Sequence, residues 1–521
     1  MHIKDWAERT PDTPALIMAG SGETVTYAEL EAASNRGAHL LRSLGLKRGD
    51  AFALWSTNNA RFSEISWAMQ RSGLYMTPIA SKLKAAEAAY IVNDCQARVL
   101  IVDASIGPAT AELARDIAKL CPAVEKLYAI REPLDGVERW EEATAAMPAT
   151  PIPDQSQGRP MVYSSGTTGR PKGVRIPLSD IAFDETPPAL FNNPVASEPG
   201  TVFIITAPLY HVGTFSMLMH EQRAGVTVVL MEKFDPEKLL AAIQKYRARH
   251  VQCVPTMFVR LLKLPEEVRA SYDVSSLKLA VHSAAPCPVD VKKAMIDWWG
   301  PILFEIYGGT EAAGLAVIDS HEWLRKPGSV GRVVLGIPHI CDEAGDELPQ
   351  GETGILYFES NQSYSYFNDP EKTKEVQNPK HPSWRTYGDI GRIDEDGYLF
   401  LSDRRSFMII SGGVNIYPQE AENVLSLHPD VQDVAVFGVP DPDMGEQVKA
   451  VVQPVDWAKA GPALEAELIA YCKSKLATLK CPKSIDFEPT LPRDITGKMM
   501  KRELRARYWD EAQPAAAVAG S

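Results

Sequence analysis

Residues 163–174, Tyr-Ser-Ser-Gly-Thr-Thr-Gly-Arg-Pro-Lys-Gly-Val, concentrate more reactive chemistry than any other stretch of this chain. The hydroxyls of Ser164, Ser165, Thr167 and Thr168 alternate with Gly166 and Gly169, and Lys172 follows. Glycine accepts positive φ and has no side chain, so a backbone rich in it folds close around an anion. Successive N–H groups in such a loop make a nest for phosphate oxygens, and a lysine adds a point charge. It is not a Walker A loop, because Gly166 is followed five residues later by Pro171 and not by Gly-Lys-Ser/Thr. Met161-Val162-Tyr163 just before it reads as the end of a buried strand.

A phosphate loop needs a scaffold. From about residue 200, β-rich runs at 202–206, 226–230, 251–254, 277–281 and 303–307 alternate with helical stretches such as 236–248 and 289–299. This alternation predicts an α/β fold with much parallel sheet, whose ligands sit beyond the carboxyl ends of strands. The loop at 164, Pro208-Leu209-Tyr210-His211 and Tyr307-Gly308-Gly309-Thr310-Glu311 each follow such a run, so distant groups converge on one crevice. After residue 350 short strands with turn signals take over: 354–359 alternates apolar and polar residues, and Asp394-Glu395-Asp396-Gly397 reads as a hairpin turn. A compact unit follows, with strands over 431–439 and 447–453 and an amphipathic helix over 462–477. The boundary falls near 403–406, giving an N-terminal domain of residues 1–403 and a C-terminal domain of 404–521, with a hinge near 403–407.

A chain of 521 residues exceeds one ordinary hydrophobic core. Its 45% hydrophobic and 23% charged residues are those of a soluble globular protein. A net charge of −13 argues against nucleic acid as partner, although a local basic loop still binds phosphate. Seven scattered cysteines without a CxxC pair read as reduced thiols of a cytoplasmic protein, not as a disulfide framework or a zinc site. The first residues lack the apolar core of a signal peptide, and no window approaches ~18 uncharged apolar residues, so no membrane span is expected. Residues 515–521 are expected to fray.

Five more signatures follow the loop: Pro208-Leu209-Tyr210-His211, Tyr307-Gly308-Gly309-Thr310-Glu311, Tyr387-Gly388-Asp389, Asp403-Arg404 and Pro492-Arg493-Asp494-Ile495-Thr496-Gly497-Lys498. In order and approximate spacing they resemble the adenylate-forming superfamily of acyl-CoA synthetases, aryl-CoA ligases, luciferases and peptide-synthetase adenylation domains. The resemblance spans residues 163 to 498, and the 283–290 and Trp298-Trp299-Gly300-Pro301 regions are most similar to fatty-acid-type synthetases. It implies a large N-terminal AMP-binding domain of parallel-rich sheets with helices and a small β-rich subdomain, followed by a small mobile α+β C-terminal domain. It also implies a carboxylic acid, ATP and coenzyme A as substrates and Mg2+ as cofactor; a homodimer is the assembly kept in view.

A carboxylate is a poor electrophile because its leaving group would be oxide, and joining it to AMP gives a mixed anhydride that a thiol can attack. By resemblance, the loop with Ser164, Ser165, Gly166, Thr167, Thr168, Gly169 and Lys172 holds the ATP phosphates. Glu311 ligates magnesium, since a hard cation takes carboxylate oxygen, and Thr310 donates to the α-phosphate. Taken alone, Glu311 would read as a solvated carboxylate; the Tyr-Gly-Gly-Thr before it changes that reading. Tyr307 gives adenine an aromatic face, Gly308 and Gly309 permit close approach, and Ser283, Ala284, Ala285 and Pro286 line the adenine edge. Asp389 accepts the ribose hydroxyls and Arg404 is a second ribose or phosphate contact. Lys498 bridges carboxylate and α-phosphate, where a cation relieves the repulsion of two anions. Tyr210 and His211 stand at the carboxylate end of the acyl pocket, and Ser411, Gly412 and Gly413 lie along the pantetheine tunnel. Ser406 occupies the hinge where relatives usually have Asp or Lys, and Ile410 replaces a lysine that several members carry. The expected reaction is ATP-dependent joining of a fatty or bulky hydrophobic acid to CoA. The alternatives are an aryl acid of the coumarate or benzoate kind, or loading of the acyl group onto a separate carrier protein.

Overall fold

The structure, a computed structural model, describes residues 1–164, 171–185, 197–361, 364–493 and 499–518. Ser165, Gly166, Thr167, Thr168, Gly169 and Lys498 lie outside the described residues. The fold is α/β, as the alternation predicts, and is organised around a nine-stranded sheet. The strands that build the site are β1 (Pro14–Met18), β2 (Val202–Ile205), β3 (Thr227–Leu230), β4 (His250–Cys253), β5 (Leu279–Ser283), β6 (Leu303–Gly308) and β7 (Leu315–Asp319). Across the sheet they run β7-β6-β5-β4-β2-β3-β1. All these neighbours pair parallel except β7, which is antiparallel to β6.

The parallel strands are short apolar runs such as Phe203-Ile204-Ile205 and Val228-Val229-Leu230, as expected of strands covered on both faces. Crossover helices are signalled locally: Asp235 accepts from the Lys238 N–H at 3.0 Å, and Pro236 opens helix Pro236–Tyr246 where no N–H is needed. One face of the sheet packs on α1 (Val212–Arg223), with Ile205, Val281, Phe215 and Leu218 in one core. The other packs on helix Pro255–Leu262 and α2 (Val289–Trp299) through Val251, Ala280, Phe258 and Met295. Each such buried side chain contributes about 1.5–3 kcal/mol of transfer free energy.

Residues 51–160 build a second sheet of six parallel strands with its own core around Trp55, Ile79 and Leu100. Three smaller sheets complete the fold. Strands Val162–Ser164 and Lys172–Arg175 pair antiparallel, with β8 (Ser365–Tyr366) beside them. A four-stranded antiparallel sheet contains β9 (Trp384–Ile393) and β10 (Leu399–Arg404). The last holds β11 (Ile409–Ser411) and the hairpin of Val431–Asp441 with Gly445–Pro454.

Two expectations are corrected. The helix read over 462–477 ends at Lys473, where Ser474 caps it through its N–H to the Ala470 carbonyl. Of the tail expected to fray over 515–521, residues 515–518 instead continue helix Lys501–Val518, since consecutive alanines are the best helix formers. Among the described residues no helix is long and apolar enough to cross a membrane. All seven cysteines are free thiols.

Candidate active site

The carboxyl ends of β5 and β6 and the facing strands β9 and β10 bring together residues that the sequence analysis expects to hold nucleotide. Asp389 of β9 lies opposite Arg404 of β10 in the antiparallel register. The Tyr307 hydroxyl, at the end of β6, donates to Asp389 Oδ2 at 2.6 Å, and Arg404 Nε lies 3.3 Å from Oδ1. Both carboxylate oxygens are thus engaged, each by a different partner. Burial and the Asp389 charge hold the Tyr307 phenol well above its ordinary range, so it remains a donor.

Glycine is required where these elements meet. A Cβ on Gly309 would sit 2.6 Å from the Tyr387 ring and 2.8 Å from Glu311 Oε2. Tyr387 is itself anchored, its hydroxyl accepting from Gly314 N at 2.7 Å. Glu311 Oε1 accepts from the Tyr366 hydroxyl at 2.7 Å. Burial and Glu311 raise the Tyr366 phenol, which keeps its proton. At the tip of β5, Ala284 adopts φ +74°, a left-handed conformation unusual for a residue with a side chain. Ala284, Ala285 and Pro286 are exposed there. Thr310 is half-buried in the turn after Gly309.

Ser164 and Lys172 are register partners, so residues 164 and 172 are brought side by side at the base of the phosphate segment. Gly173 faces the Tyr163 ring so closely that a Cβ would stand 2.9 Å from it. Lys172, expected in the loop, belongs to the strand Lys172–Arg175, where its ammonium pairs with Asp369 at 3.0 Å and lies 6.0 Å from the Tyr366 ring centre. Tyr366 therefore joins Lys172 to Glu311. Sequence reasoning missed Tyr366 and Asp369. Their one available signal was Asp369-Pro370, a helix start: Asp369 accepts from the Lys372 N–H at 2.9 Å.

At the other end, His211 is the N-cap residue of α1, with Tyr210 against it at 4.7 Å between ring centres. A further missed residue fixes this pair. Buried Asn58 donates to the carbonyls of Ala207 and Met231 at 3.1 and 2.9 Å and accepts from Leu209 N at 2.8 Å. An asparagine in a loop gives no sequence signal for such a clamp. Ser411 ends a strand of another sheet and Gly412 and Gly413 form the turn that follows it, at φ +56° and +79°, with Gly412 N donating to the Met444 carbonyl at 2.8 Å. Ser406 is exposed in the turn between β10 and β11, and Ile410 is exposed on β11.

The arrangement fits a nucleotide-borne cation better than a resident metal centre. Among the described residues no three His, Cys, Asp or Glu side chains converge to hold a metal. Glu311 offers one carboxylate whose Oε2 occupies a cradle that a Gly309 side chain would fill. Magnesium takes one or two carboxylates and completes its shell with phosphates and water.

Residues 3–365 match the family of AMP-binding enzymes, and residues 420–498 match the AMP-binding enzyme C-terminal domain. A feruloyl-CoA synthase from Amycolatopsis sp is 34% identical over 503 residues, covering 95% of this chain and 96% of that protein. The long-chain-fatty-acid–CoA ligase FadD13 of Mycobacterium tuberculosis is 29% identical, covering 97% of each. The fold is similar to that of the anthranilate CoA ligase AuaEII in complex with anthranoyl-AMP, with a TM-score of 0.82, 24% identity and 98% of each chain covered.

Proposed function

The chain belongs to the AMP-binding enzyme family, and from that premise we propose that it is a carboxylic acid–CoA ligase working in two steps. The observation that carries this reading is Asp389, held by Tyr307 and Arg404 beside Glu311 at the carboxyl edge of the parallel sheet. A buried carboxylate preset by two donors suits the two hydroxyls of a ribose. In the first step a carboxylate oxygen of the acid attacks the α-phosphorus, the bond to the bridging oxygen breaks, and pyrophosphate leaves. Asp389 and Tyr307 orient the nucleoside, Thr310 donates to the α-phosphate, and the segment from Ser164 to Lys172 holds the leaving phosphates. Lys498 reaches the same point from the C-terminal domain and neutralises the meeting anions. Mg2+ held by Glu311 would supply charge neutralisation for the phosphates. In the second step the CoA sulfur attacks the acyl carbon, the C–O bond to AMP breaks, and the thiol proton passes to solvent.

We assign residues 1–403 to the domain that holds nucleotide and acid and 404–521 to a mobile domain that turns about Ser406. That turn withdraws Lys498 and presents Ser411, Gly412 and Gly413 to pantetheine, a hinge motion of a known kind. The acid is hydrophobic, a fatty or ring-bearing one. The aryl reading is favoured by the 34% identity to a feruloyl-CoA synthase. Incubation with ATP, CoA and a panel of alkyl and aryl acids tests the proposal. AMP and thioester should appear together, and the absence of thioester from every acid would overturn it.

A further inference from the structure

Register across the nine-stranded sheet sets Met18, Leu230, Ile205, Gln252, Val281 and Phe304 in one row on one face. Five of the six are apolar and belong to or pack on the core that includes Phe215 and Leu218 of α1. Gln252 alone is polar. It is 3% exposed, and its side-chain oxygen has no hydrogen-bond partner among the described residues. Leaving a buried acceptor unpaired is unfavourable, and a leucine would fill such a row without that penalty.

The same face is half-open two strands from Gln252, beyond the buried Val281. On β6, Leu303 and Glu305 are buried against the α2 side, whereas Phe304 and Ile306, facing α1, keep partial exposure although the strand is internal. Val317, the register partner of Ile306, is half-buried too. On α1, Met217 is partly buried, and a Cβ on Gly213 would meet nothing within 4 Å. A groove therefore descends from the strand tips between β6 and α1. Gln252 is level with Val281, two residues before Ser283, so its row lies roughly 7 Å below the tips at about 3.3 Å per residue. That depth is of the order of the length of an aryl acid whose carboxylate stands at the tips.

Among the described residues His282 also has ring nitrogens without a hydrogen bond, but on the opposite face, where it is wholly buried against Phe258 and 3.7 Å from Glu305. Its register partners Cys253 and Glu305 are both buried, whereas Gln252 shares its face with the half-open β6.

Resting on the ligase reading above, we infer that Gln252 determines specificity by accepting a hydrogen bond from a hydroxyl on the body of the acid. The substrate is then a hydroxylated acid, an aryl one by depth, and not a plain alkyl chain. A site built to bond a substrate hydroxyl disfavours the analogue that lacks it far more than an apolar pocket discriminates by one methylene.

The test uses the full chain with ATP and CoA and compares para-hydroxycinnamate with cinnamate and para-hydroxybenzoate with benzoate. The wild type should favour the hydroxylated partner of a pair by about tenfold or more in kcat/KM. Gln252→Leu should bring that ratio close to one while the KM for ATP stays unchanged. Gln252→Met, close in shape, should do the same, and serves if the leucine variant does not fold. A wild type with no preference for hydroxylated acids, or a preference that both variants retain, overturns the assignment and leaves a bound water as the partner of the carboxamide. Thioester from no acid at all contradicts the ligase reading itself, a distinct result.

Discussion

The nucleotide end and the acid end of the crevice are built on opposite principles. At the nucleotide end every charged group described already has a partner: Asp389 with Tyr307 and Arg404, Glu311 with Tyr366, Lys172 with Asp369. At the acid end an apolar, half-open face of β6 and β7 shares its side of the sheet with one carboxamide oxygen that has no partner among the described residues. Preset partners hold donors and acceptors where charge will develop, so no reorganisation is needed at the moment of reaction. An unpartnered group does the reverse and leaves free energy to be recovered only when a matching ligand arrives. On the proposed reading the nucleotide meets the first kind of surface and the acid the second.

If the two ends differ in this way, removing charge at the first should damage the first half-reaction whatever the acid. The largest effect is expected for Lys498→Ala, which should lower acid-dependent pyrophosphate exchange by about 10²–10³-fold while thioester formation from supplied acyl-AMP persists. Equal exchange by wild type and variant would remove the role given to that lysine. Asp389→Ala removes two charge-assisted contacts of about 1.5–3 kcal/mol each, so the KM for ATP should rise at least about a hundredfold. Steady-state kinetics should show the KM for the acid nearly unmoved; a parallel rise in both would merge the two ends. Tyr366→Phe deletes one hydroxyl from Glu311. At about 1–1.5 kcal/mol the expected outcome is a five- to tenfold higher magnesium requirement in the exchange assay.

The smallest effect concerns stability and separates His282 from Gln252. Burial, and then Lys292, holds the His282 imidazole well below its ordinary value of 6.5. The unfolded chain takes up a proton near pH ~6.5 that the folded chain refuses. Stability is therefore fully present above that pH and falls as the pH drops, by up to about 1.4 kcal/mol per pH unit. His282→Leu should flatten the decline in thermal midpoint between about pH 7.5 and about pH 5 without changing acid selectivity. A change in selectivity would mean that both faces of the sheet touch substrate.

The strands that hold the nucleotide residues were legible because parallel, doubly covered strands are short apolar runs, and 303–307 was read within a residue of β6. Helix Val289–Trp299 and strand Gly354–Glu359 agree with the sequence reading at both ends. Tyr307, Asp389 and Arg404 were legible as motif members, yet nothing in spacing alone tells that a phenol and a guanidinium grip one carboxylate from two sheets. Tyr366, Asp369 and Asn58 were not legible, because each acts through a partner far along the chain, such as Asn58 on Leu209. Gln252 was hidden for another reason. A glutamine in a strand reads as a solvent-facing residue until register shows that its five row-mates are apolar.

Transfer of one carboxylate oxygen to AMP is the central claim and is directly measurable. An acid with both carboxylate oxygens replaced by heavy oxygen is incubated with the protein, ATP and CoA, and the products are weighed by mass spectrometry. One heavy oxygen should appear in AMP and the other should remain in the thioester carbonyl. AMP free of label, or ADP in its place, would contradict activation through an acyl-adenylate.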